Sequence, residues 1–370
     1  MARARDLHTA YSQQLRVLGS RWVQVGVAVL VLAAVLAPYQ LTPFQLDVMS
    51  RVGIFAIGAV GLNLLTGYTG QVSLGHAFFV GVGAYGAAWF GGQEEWPLWL
   101  WLPMVAIIGG LIGGLIGPFA LRLRGNYLVI VTLGLLFVGE HVFNNWRSVT
   151  GGGAGTPVDP PLSIGPVDFS GLDVLGLDLD RVQSVFWLIW LLVALGVVLA
   201  KNLVRTRPGR AMQAVRDRDL AAEVIGVSLF RYKVGAFAIS SVYAAVAGGL
   251  YGVLQQYVSP TEFGGQLGLF LSIQYIAIII VGGVGTIFGS LIGAFIVGAL
   301  PRIIENVSRN NDIPFVRGDA GGADGFLSVF SLNQAIFGLL IIAFLLFEPL
   351  GMAALWFRLK AYFKTWPFSY

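Results

Sequence analysis

The chain of 370 residues contains no cysteine, which excludes disulfide bonds and cysteine-based metal or redox sites. It has only four lysines, and none follows a glycine, whereas a nucleotide-binding P-loop needs a Gly-Lys-Ser/Thr sequence to hold phosphates. Three histidines offer few bases or metal ligands for an enzyme. We therefore expect no catalytic residues, no metal and no cofactor, and we expect any ATP hydrolysis to occur in a separate polypeptide.

Charged residues are also scarce, at 11% of the chain against 56% hydrophobic residues. An ordinary soluble domain is roughly a quarter charged, so most of this chain cannot face water. We predict an all-α fold, a polytopic transmembrane helix bundle that forms one domain over residues 22–350. We interpret the basic segment 1–21 as a cytoplasmic leader before a first anchor helix, and residues 351–370 as a cytoplasmic tail.

Ten segments are apolar enough to be candidate spans, since a helix needs about 20 apolar residues to cross the hydrocarbon core. The third, eighth and ninth are short or interrupted by glycine. The ten candidate spans are 22–39, 44–66, 72–91, 97–120, 126–146, 182–200, 233–257, 265–281, 286–301 and 333–350.

The distribution of Lys and Arg predicts the orientation, because cytoplasmic loops of membrane proteins carry an excess of both. With both termini in the cytoplasm, 17 of the 23 basic residues are cytoplasmic, eight of them in 201–233. The predicted extracytoplasmic loops 147–181 and 301–332 together hold five. The remaining one, Arg51, lies one helical turn from Asp47, which predicts an i,i+4 ion pair near the outer surface.

The chain contains 50 glycines, which favour close helix packing, because helices in lipid associate through small residues spaced four apart. We predict that two glycine faces contact other helices rather than lipid. Their members are Gly109, Gly113 and Gly117, and Gly285, Gly289 and Gly293. The segment AFIVGA at 294–299 also echoes AFFVGV at 77–82. This echo suggests an internal repeat, although biased composition can produce the same echo by chance.

Polar side chains accompany the glycines of residues 66–86, TGYTGQVSLGHAFFVGVGAYG. An unpaired polar group inside a membrane costs several kcal/mol, and glycine-interrupted helices often mark the substrate path of a transporter. We therefore hypothesise that a polar set lines a substrate pathway, with hydrogen-bonded packing as the alternative. The set is Asn63, Gln71, Ser73, His76 and, in the fifth span, Glu140. For Glu140, reaching water near the outer end of its span is an equally good account.

The segment 201–233 is the one sizeable cytoplasmic segment, and short apolar stripes among helix-forming residues predict two short helices there. Gly226 fits a helix end. The helices would present charged side chains to a partner, with binding to anionic lipid as an alternative that the interleaved acids disfavour. These charged residues are Arg210, Arg216, Asp217, Arg218, Asp219 and Glu223.

Several separate stretches resemble the permease subunits of branched-chain amino acid ABC importers, specifically the LivM type, in matching order from 44 to 350. They are GLNLLTGYTGQVSLGHAFFVGVGAYG at 61–86, GNYLVIVTLGLLFVGE at 125–140, RPGRAMQAVRDRDLAAEVIGVSLFRYKVGAFAISSVYAAVAGGLYG at 207–252, and QYIAIIIVGGVGTIFGSLIGA at 274–294.

The resemblance implies that 201–233 is a coupling loop that docks on an ATPase, like loops with an E-A-A-x-x-x-G pattern. Residues 220–226 read LAAEVIG, so Ala222 and Gly226 match while leucine occupies the glutamate position. Asp219 precedes it by one residue and is a candidate substitute for that glutamate.

The resemblance also implies the partners. They are a second homologous permease of the LivH type, two cytoplasmic ATPase subunits and an extracytoplasmic solute-binding protein, in a bacterial inner membrane, with lipid around the bundle and no nucleic acid. The alternative is a secondary transporter or channel that works without an ATPase. It would need intramembrane acids or bases for ion coupling, and this chain has few.

Overall fold

The computed structural model describes residues 36–119, 127–164, 167–171, 173–174, 177–310, 316–317, 327–348 and 350–365, together with Gly26 and Ala34. The described chain is a bundle of long apolar helices joined by short segments. Its helices are α1 Pro43–Thr69, α2 His76–Gly86, α3 Leu98–Ile116, α4 Tyr127–Asn145, α5 Arg147–Thr150, α6 Arg181–Arg205, α7 Arg207–Asp217, α8 Asp219–Val224, α9 Leu229–Gln255, α10 Pro260–Phe263, α11 Gly265–Gly282, α12 Ile287–Asn310, α13 Val329–Phe347 and α14 Gly351–Thr365.

Short strands and irregular helical turns complete the described chain. A π-helical stretch, Ala87–Gln93, continues α2, and a 3-10 turn covers Gly152–Ala154. The strands are β1 Thr156–Pro157, β2 Ser163–Ile164, β3 Val167–Asp168, β4 Asp173–Val174, β5 Leu177–Asp178, β6 Tyr257–Val258, β7 Val316–Arg317 and β8 Leu327–Ser328. The pairs β1–β6, β2–β3 and β4–β5 are antiparallel and β7–β8 is parallel.

The ends of α1 follow from local sequence. Thr42 accepts a hydrogen bond from the Gln45 amide at 3.4 Å, and the Gln45 side chain accepts one from the Thr42 amide at 2.9 Å. This reciprocal capping box satisfies amides that the first helical turn leaves unpaired, and Pro43 fits the first helical position. At the other end Gly70 takes φ 71°, a left-handed conformation in which glycine ends helices without steric cost.

The helices α1 and α9 form the centre of the bundle. In its most apolar stretch α1 is 83% buried and α9 is 61% buried, whereas α3 and α4 are only 22% and 28% buried. Helices with one buried stripe and a wide exposed apolar face belong at the lipid boundary. Exposed Leu111, Leu115 and Ile130 mark such faces on α3 and α4.

The first predicted glycine face packs α3 directly against α9. Side chains added at Gly109 and Gly113 would collide with Ala245 and Ser241, and one at Gly117 would collide with Val234. Of the second predicted face, Gly289 and Gly293 of α12 pack against Gly282 and Ile278 of α11. Gly285 instead lies in the turn before α12, beside Gly67 and Arg216, because its φ of 81° is not helical.

The predicted spans map onto the described helices with differences. Seven helices, α1, α3, α4, α6, α9, α11 and α12, are long and apolar enough to cross a membrane, and the bent pair α13 and α14 makes up to eight. The predicted third span is α2 with its π-helical continuation. The predicted first span, 22–39, lies largely outside the described residues. The count of ten and the position of both termini stay predictions.

Two predicted boundaries differ from the structure. The predicted loop 301–332 begins inside α12, which continues as helix to Asn310. Arg302 and Glu305 pair with each other and Arg302 also pairs with Asp47, so charge pairing keeps this polar stretch helical. The predicted tail 351–370 begins with α14, which packs against α11 and α12.

Connecting segments gather at two ends of the bundle. At one end, called here the α8 end, lie α7, α8, residues 70–75 and residues 283–286, because Arg216 contacts both Gly67 and Gly285. At the opposite end, the residues after α4 pair with β6. The segments predicted to be cytoplasmic and extracytoplasmic thus lie at different ends, as the charge distribution predicts.

A chain of polar side chains ties four helices together at the opposite end. The predicted pair of Asp47 and Arg51 is present, at 3.0 Å between Oδ2 and Nε. Asp47 also accepts a hydrogen bond from Arg302 at 2.9 Å, and Arg51 donates to Gln255 at 2.6 Å. From Gln255 the chain passes through Tyr251 to Glu262, and burial raises the pKa of the Glu262 carboxyl.

Replacing Gly113 tests the contact between α3 and α9. We expect Gly113→Leu to lower the free energy of unfolding by about 1–3 kcal/mol, because its side chain would overlap Ser241. Thermal unfolding of the detergent-solubilised protein measures this. Gly134→Leu is the matched control, since nothing lies within 4 Å of a side chain there. Equal midpoints for the two variants would contradict the packing.

Replacing Asp47 tests the polar chain at the opposite end. Asp47→Asn keeps an acceptor but removes the charge that faces both Arg51 and Arg302. We expect a loss of stability of about 1.5–3 kcal/mol, the usual range for a hydrogen bond to a charged group. The control is Asp168→Asn, whose exposed oxygen accepts only from the Ser170 amide in the described chain. Chemical denaturation that leaves both variants like the parent would rule out this role.

Candidate translocation and coupling site

The glycine-rich segment between α1 and α2 is a true helix break. Helix α1 ends at Thr69, residues 70–75 are extended or bent, and α2 begins at His76. Where a chain leaves its helix against the bundle, its buried backbone N–H and C=O groups must find other partners. The position of Gln71 and Ser73 follows from this requirement, since both lie in the break.

Hydroxyl groups from neighbouring helices pair the backbone of this break. Thr132 of α4 accepts from the Leu74 amide at 3.0 Å. Ser272 of α11 accepts from the Ala77 amide, also at 3.0 Å. Ser73 accepts from the Gly75 amide at 3.3 Å. The break is therefore anchored to two other helices and is part of the packed core.

Gln71 connects the break to the helix that follows α8. Its Nε2 donates to Thr69 Oγ1 at 3.0 Å and to the Lys233 carbonyl at 3.2 Å. The residue is only 6% exposed, yet its Oε1 has no hydrogen-bond partner among the described residues. A buried acceptor left unpaired costs about 1–3 kcal/mol. Gln71 thus retains unused hydrogen-bonding capacity in the described chain.

His76 is held by α1 and α11. Its Nε2 lies 3.1 Å from the Gly58 carbonyl oxygen, and the ring meets Tyr275 edge-on with centroids 4.8 Å apart. The side chain is 2% exposed. This geometry makes His76 a tight contact between three helices in the described conformation.

Asn63 spans a second break, between α11 and α12. Its Nδ2 donates to the Thr286 carbonyl at 2.8 Å and to Ser290 Oγ at 2.7 Å, while its Oδ1 accepts from the Gly285 amide at 2.8 Å. Gly285 has φ 81°, where a side chain would be strained. Three of the four hydrogen bonds that an amide side chain can form therefore serve this turn.

Glu140 lies apart from the other predicted pathway residues. Its carboxylate packs on Gly264 and Gly265 at the start of α11, where side chains would collide with it. The positive end of the helix dipole favours a carboxylate at such a place. The structure thus distributes the five residues over separate contacts: Asn63 at the second break, Gln71 and Ser73 in the first, His76 at its edge and Glu140 at the far end of α4.

The predicted coupling segment forms the two short helices α7 and α8, separated by Arg218. Gly226 ends this region with φ 88°. Ala222 is 2% exposed and faces the bundle, whereas Arg210, Asp217 and Glu223 are exposed. The segment is therefore ordered and presents charges outward.

Three contacts join α7 and α8 to the first break. Arg216 donates from Nη1 to the Gly67 carbonyl, at the end of α1. Asp219 faces Lys233 at 3.6 Å between Oδ2 and Nζ, and Gln71 holds the carbonyl of the same lysine. Movement of α7 and α8 must consequently alter the contacts of residues 70–75.

Apolar side chains on α8 and after it face outward. Leu220, Val224 and Ile225 are 61%, 88% and 76% exposed. Leu220 and Val224 are four residues apart and share the face of α8 opposite the buried Ala222. A helix end that carries charges beside exposed apolar groups is suited to docking a protein surface.

A shallow apolar crevice lies between α1, α6 and α9, lined by Ala56, Ile57, Val60, Val193, Gly196, Val197 and Tyr243, and it has no room for a water-sized molecule. Ligand sites are usually clefts of about 300–1,000 Å³ with convergent polar groups. This crevice is not such a site, and its lining includes none of the predicted pathway residues.

Sequence reasoning missed three hydroxyl residues that organise both breaks. Thr132, Ser272 and Ser290 are each 0% exposed, and each lies in an otherwise apolar stretch. An isolated hydroxyl in an apolar span is a usable signal, because it must find a hydrogen-bond partner there. Which group is that partner depends on the fold, because the two groups are far apart in the sequence.

Comparison with known proteins agrees with this architecture. A family model described as the permease component of branched-chain amino acid transport systems matches residues 44–345. The chain belongs to this family. Its members are membrane permeases of ABC transporters, and the predicted resemblance to the LivM type is confirmed.

Similar curated proteins include two high-affinity branched-chain amino acid transport system permease proteins LivM. The one from Escherichia coli K12 is 33% identical over 73% of this chain and 65% of its own length. The one from Salmonella typhimurium LT2 is 32% identical over 72% and 64%. The ribose import permease protein RbsC of Haemophilus influenzae is 27% identical over 75% and 84%. This chain thus spans less than two thirds of both LivM relatives. No solved structure matches it.

Replacing Asn63 distinguishes a structural role from a lining role. Asn63→Leu removes three hydrogen bonds and leaves the Gly285 amide unpaired, so we expect a loss of stability of about 1–3 kcal/mol even without partners or cargo. The measurement is thermal unfolding in detergent. Asn145→Leu, at an exposed site that pairs only with His141 in the described chain, is the control. A residue that only lines a pathway would leave stability unchanged.

Proposed function

We propose that this chain is the transmembrane permease subunit of an ATP-driven ABC importer that carries branched-chain or related amino acids across the bacterial inner membrane. ATP is hydrolysed by separate cytoplasmic subunits that dock on residues 201–233. A second permease of the LivH type completes the membrane part, and an extracytoplasmic solute-binding protein delivers cargo. The family and the names of its LivM relatives support this proposal.

The observation that carries the proposal is the outward apolar face formed by Leu220, Val224 and Ile225. Burying such side chains against a partner yields about 1.5–3 kcal/mol each, whereas exposure to water yields nothing. Arg210, Asp217 and Glu223 are exposed on the same two short helices and carry both charge signs, which suits a protein partner better than an anionic lipid surface. A groove on an ATPase subunit is the partner that fits this pattern and the family.

Coupling follows from the contacts of α7 and α8. When the ATPase subunits close, they would move these helices, and Arg216 would transmit the displacement to the end of α1 at Gly67. Lys233 joins the same movement to Gln71 in the first break. A rigid-body rocking of the bundle between outward- and inward-open states is the usual outcome of such a displacement.

We propose that cargo passes between the two permeases rather than through this chain alone. The apolar crevice between α1, α6 and α9 has no room for an amino acid and offers few polar groups to bind one. Asn63, Gln71, Ser73, His76 and Glu140 stay a hypothesis for the lining. Gln71 is the favoured member, because its unpaired Oε1 has capacity for water or an ammonium group. Because a ribose permease is among the similar proteins, the cargo is best identified by binding measurements on the solute-binding protein.

The docking face can be tested by placing a charge on it. In the assembled complex, we expect Val224→Asp to weaken retention of the ATPase subunits more than tenfold, since a carboxylate would replace a buried apolar contact. The measurement is the amount of ATPase that copurifies with the permease. Ile164→Asp is the matched control, because Ile164 is an exposed apolar residue at the opposite end.

Two results would overturn the proposal. Equal ATPase retention by Val224→Asp and Ile164→Asp would remove α8 from the docking site. Cargo uptake by reconstituted permease without any ATPase subunit would favour the rival, a secondary transporter or channel.

A further inference from the structure

Asp219, the first residue of α8, uses its carboxylate within its own chain. Its Oδ1 accepts a hydrogen bond from the Leu220 amide at 2.8 Å, and its Oδ2 lies 3.6 Å from Lys233 Nζ on α9. The other two acids of α7 and α8, Asp217 and Glu223, are exposed. The carboxylate at position 219 thus has partners for both oxygens without any other protein.

This arrangement separates two roles at the start of α8. The resemblance makes Asp219 a candidate substitute for the glutamate of an ATPase-docking loop. Leu220 occupies the glutamate position itself, is 61% exposed and belongs to the outward apolar face of α8. Asp219 instead faces Lys233. The apolar residue is therefore placed for a partner, and the acid is placed for a contact inside the chain.

Lys233 connects α8 to the first break, because both its side chain and its backbone are held. Its Nζ faces Asp219, while its carbonyl oxygen accepts a hydrogen bond from Gln71 Nε2 at 3.2 Å. Gln71 also donates to Thr69 Oγ1 at 3.0 Å, at the last residue of α1. A single lysine thus links the start of α8 to the side chain that joins the break to α1.

Arg216 gives α7 a separate attachment. Its Nη1 donates to the Gly67 carbonyl near the end of α1, and neither Asp219 nor Lys233 takes part in this contact. Loss of the ion pair therefore leaves α7 attached and releases only α8. The Asp219 side chain is 43% exposed, and exposed ion pairs contribute little to folding stability. The pair can position α8 without being needed for the fold.

We propose that Asp219 is a positioning residue inside the permease and not a contact with the ATPase. Its ion pair with Lys233 fixes α8 relative to the first break, so that a movement of α8 displaces Gln71. This inference rests on the proposed function, since it assigns ATPase binding to the apolar face and transmission of the movement to the ion pair. Without the pair, ATPase subunits bind and hydrolyse ATP while residues 70–75 no longer follow α8.

A spin label in the first break tests this transmission without knowledge of the cargo. Val72 is 41% exposed in the break and the chain has no cysteine, so Val72→Cys takes a single label before ATPase subunits are added. In the assembled complex we expect ATP to change the label spectrum. Asp219→Asn keeps an acceptor for the Leu220 amide, and Lys233→Met keeps the apolar stem. We expect either variant to reduce the spectral change about threefold or more. ATPase retention, ATP hydrolysis and the thermal unfolding midpoint should match the parent.

Three controls isolate the ion pair. Lys233→Arg, the conservative variant, should restore the label response. The double variant Asp219→Asn with Lys233→Met should be no worse than either single variant, because both substitutions remove the same interaction. Asp159→Asn breaks an exposed ion pair with Arg181 at the opposite end, at 2.7 Å, and should leave the label response unchanged.

The contrary outcomes are distinct. Release of ATPase subunits by Asp219→Asn but not by Lys233→Met would place Asp219 in the docking site and overturn the inference. A full label response in Asp219→Asn, or no response in the parent with ATPase bound, would overturn it as well. A parent chain that retains no ATPase subunits would instead overturn the proposed function, and the inference with it.

Discussion

Pairing of backbone polar groups where water is absent is the constraint on which this molecule depends. An unpaired N–H or C=O in a hydrocarbon environment costs several kcal/mol, so a helix can stop inside the bundle only if other groups take over its hydrogen bonds. Both breaks meet this condition. Thr132 and Ser272 pair residues 70–77, and Asn63 pairs the turn before α12. Asn63, Thr132 and Ser272, three buried polar residues in apolar helices, are used for that purpose.

Local features of the sequence predicted local features of the structure. The spans follow from runs of apolar residues, and the Asp47–Arg51 pair follows from a spacing of four. The ion pair between Asp47 and Arg302 could not be predicted, because it joins residues 255 positions apart. Asn63 shows the same limit. Its polarity inside a span indicated importance, but the choice between lining and bridging depends on a turn 222 positions later in the chain.

For the glycines, too, the sequence predicted the local feature but not its distant partner. A spacing of four at Gly109, Gly113 and Gly117 predicted a helix contact, and the partner residues on α9 emerged only from the fold. The tail 351–370 shows the reverse case. Its basic residues predicted a side of the membrane, while the helix and its contacts with α11 and α12 required the structure.

The α8 end brings together segments of different composition. The helices α7 and α8 carry charges of both signs and an apolar face, whereas α14 carries only basic charge beside aromatic rings. Arg216 touches Gly67 and Gly285, and α14 starts against Gly283, so both segments act on neighbouring points of the same bundle.

The turn at Gly283–Thr286 has a consequence for biosynthesis. Its neighbours are Asn63, Gly67, Arg216 and Gly351, which leave the ribosome at widely different times. The last of them is synthesised only after α11, α12 and α13. The contacts of the turn between α11 and α12 are therefore completed only late in insertion. A truncated chain that stops before Gly351 would lack the contact between Gly351 and Gly283.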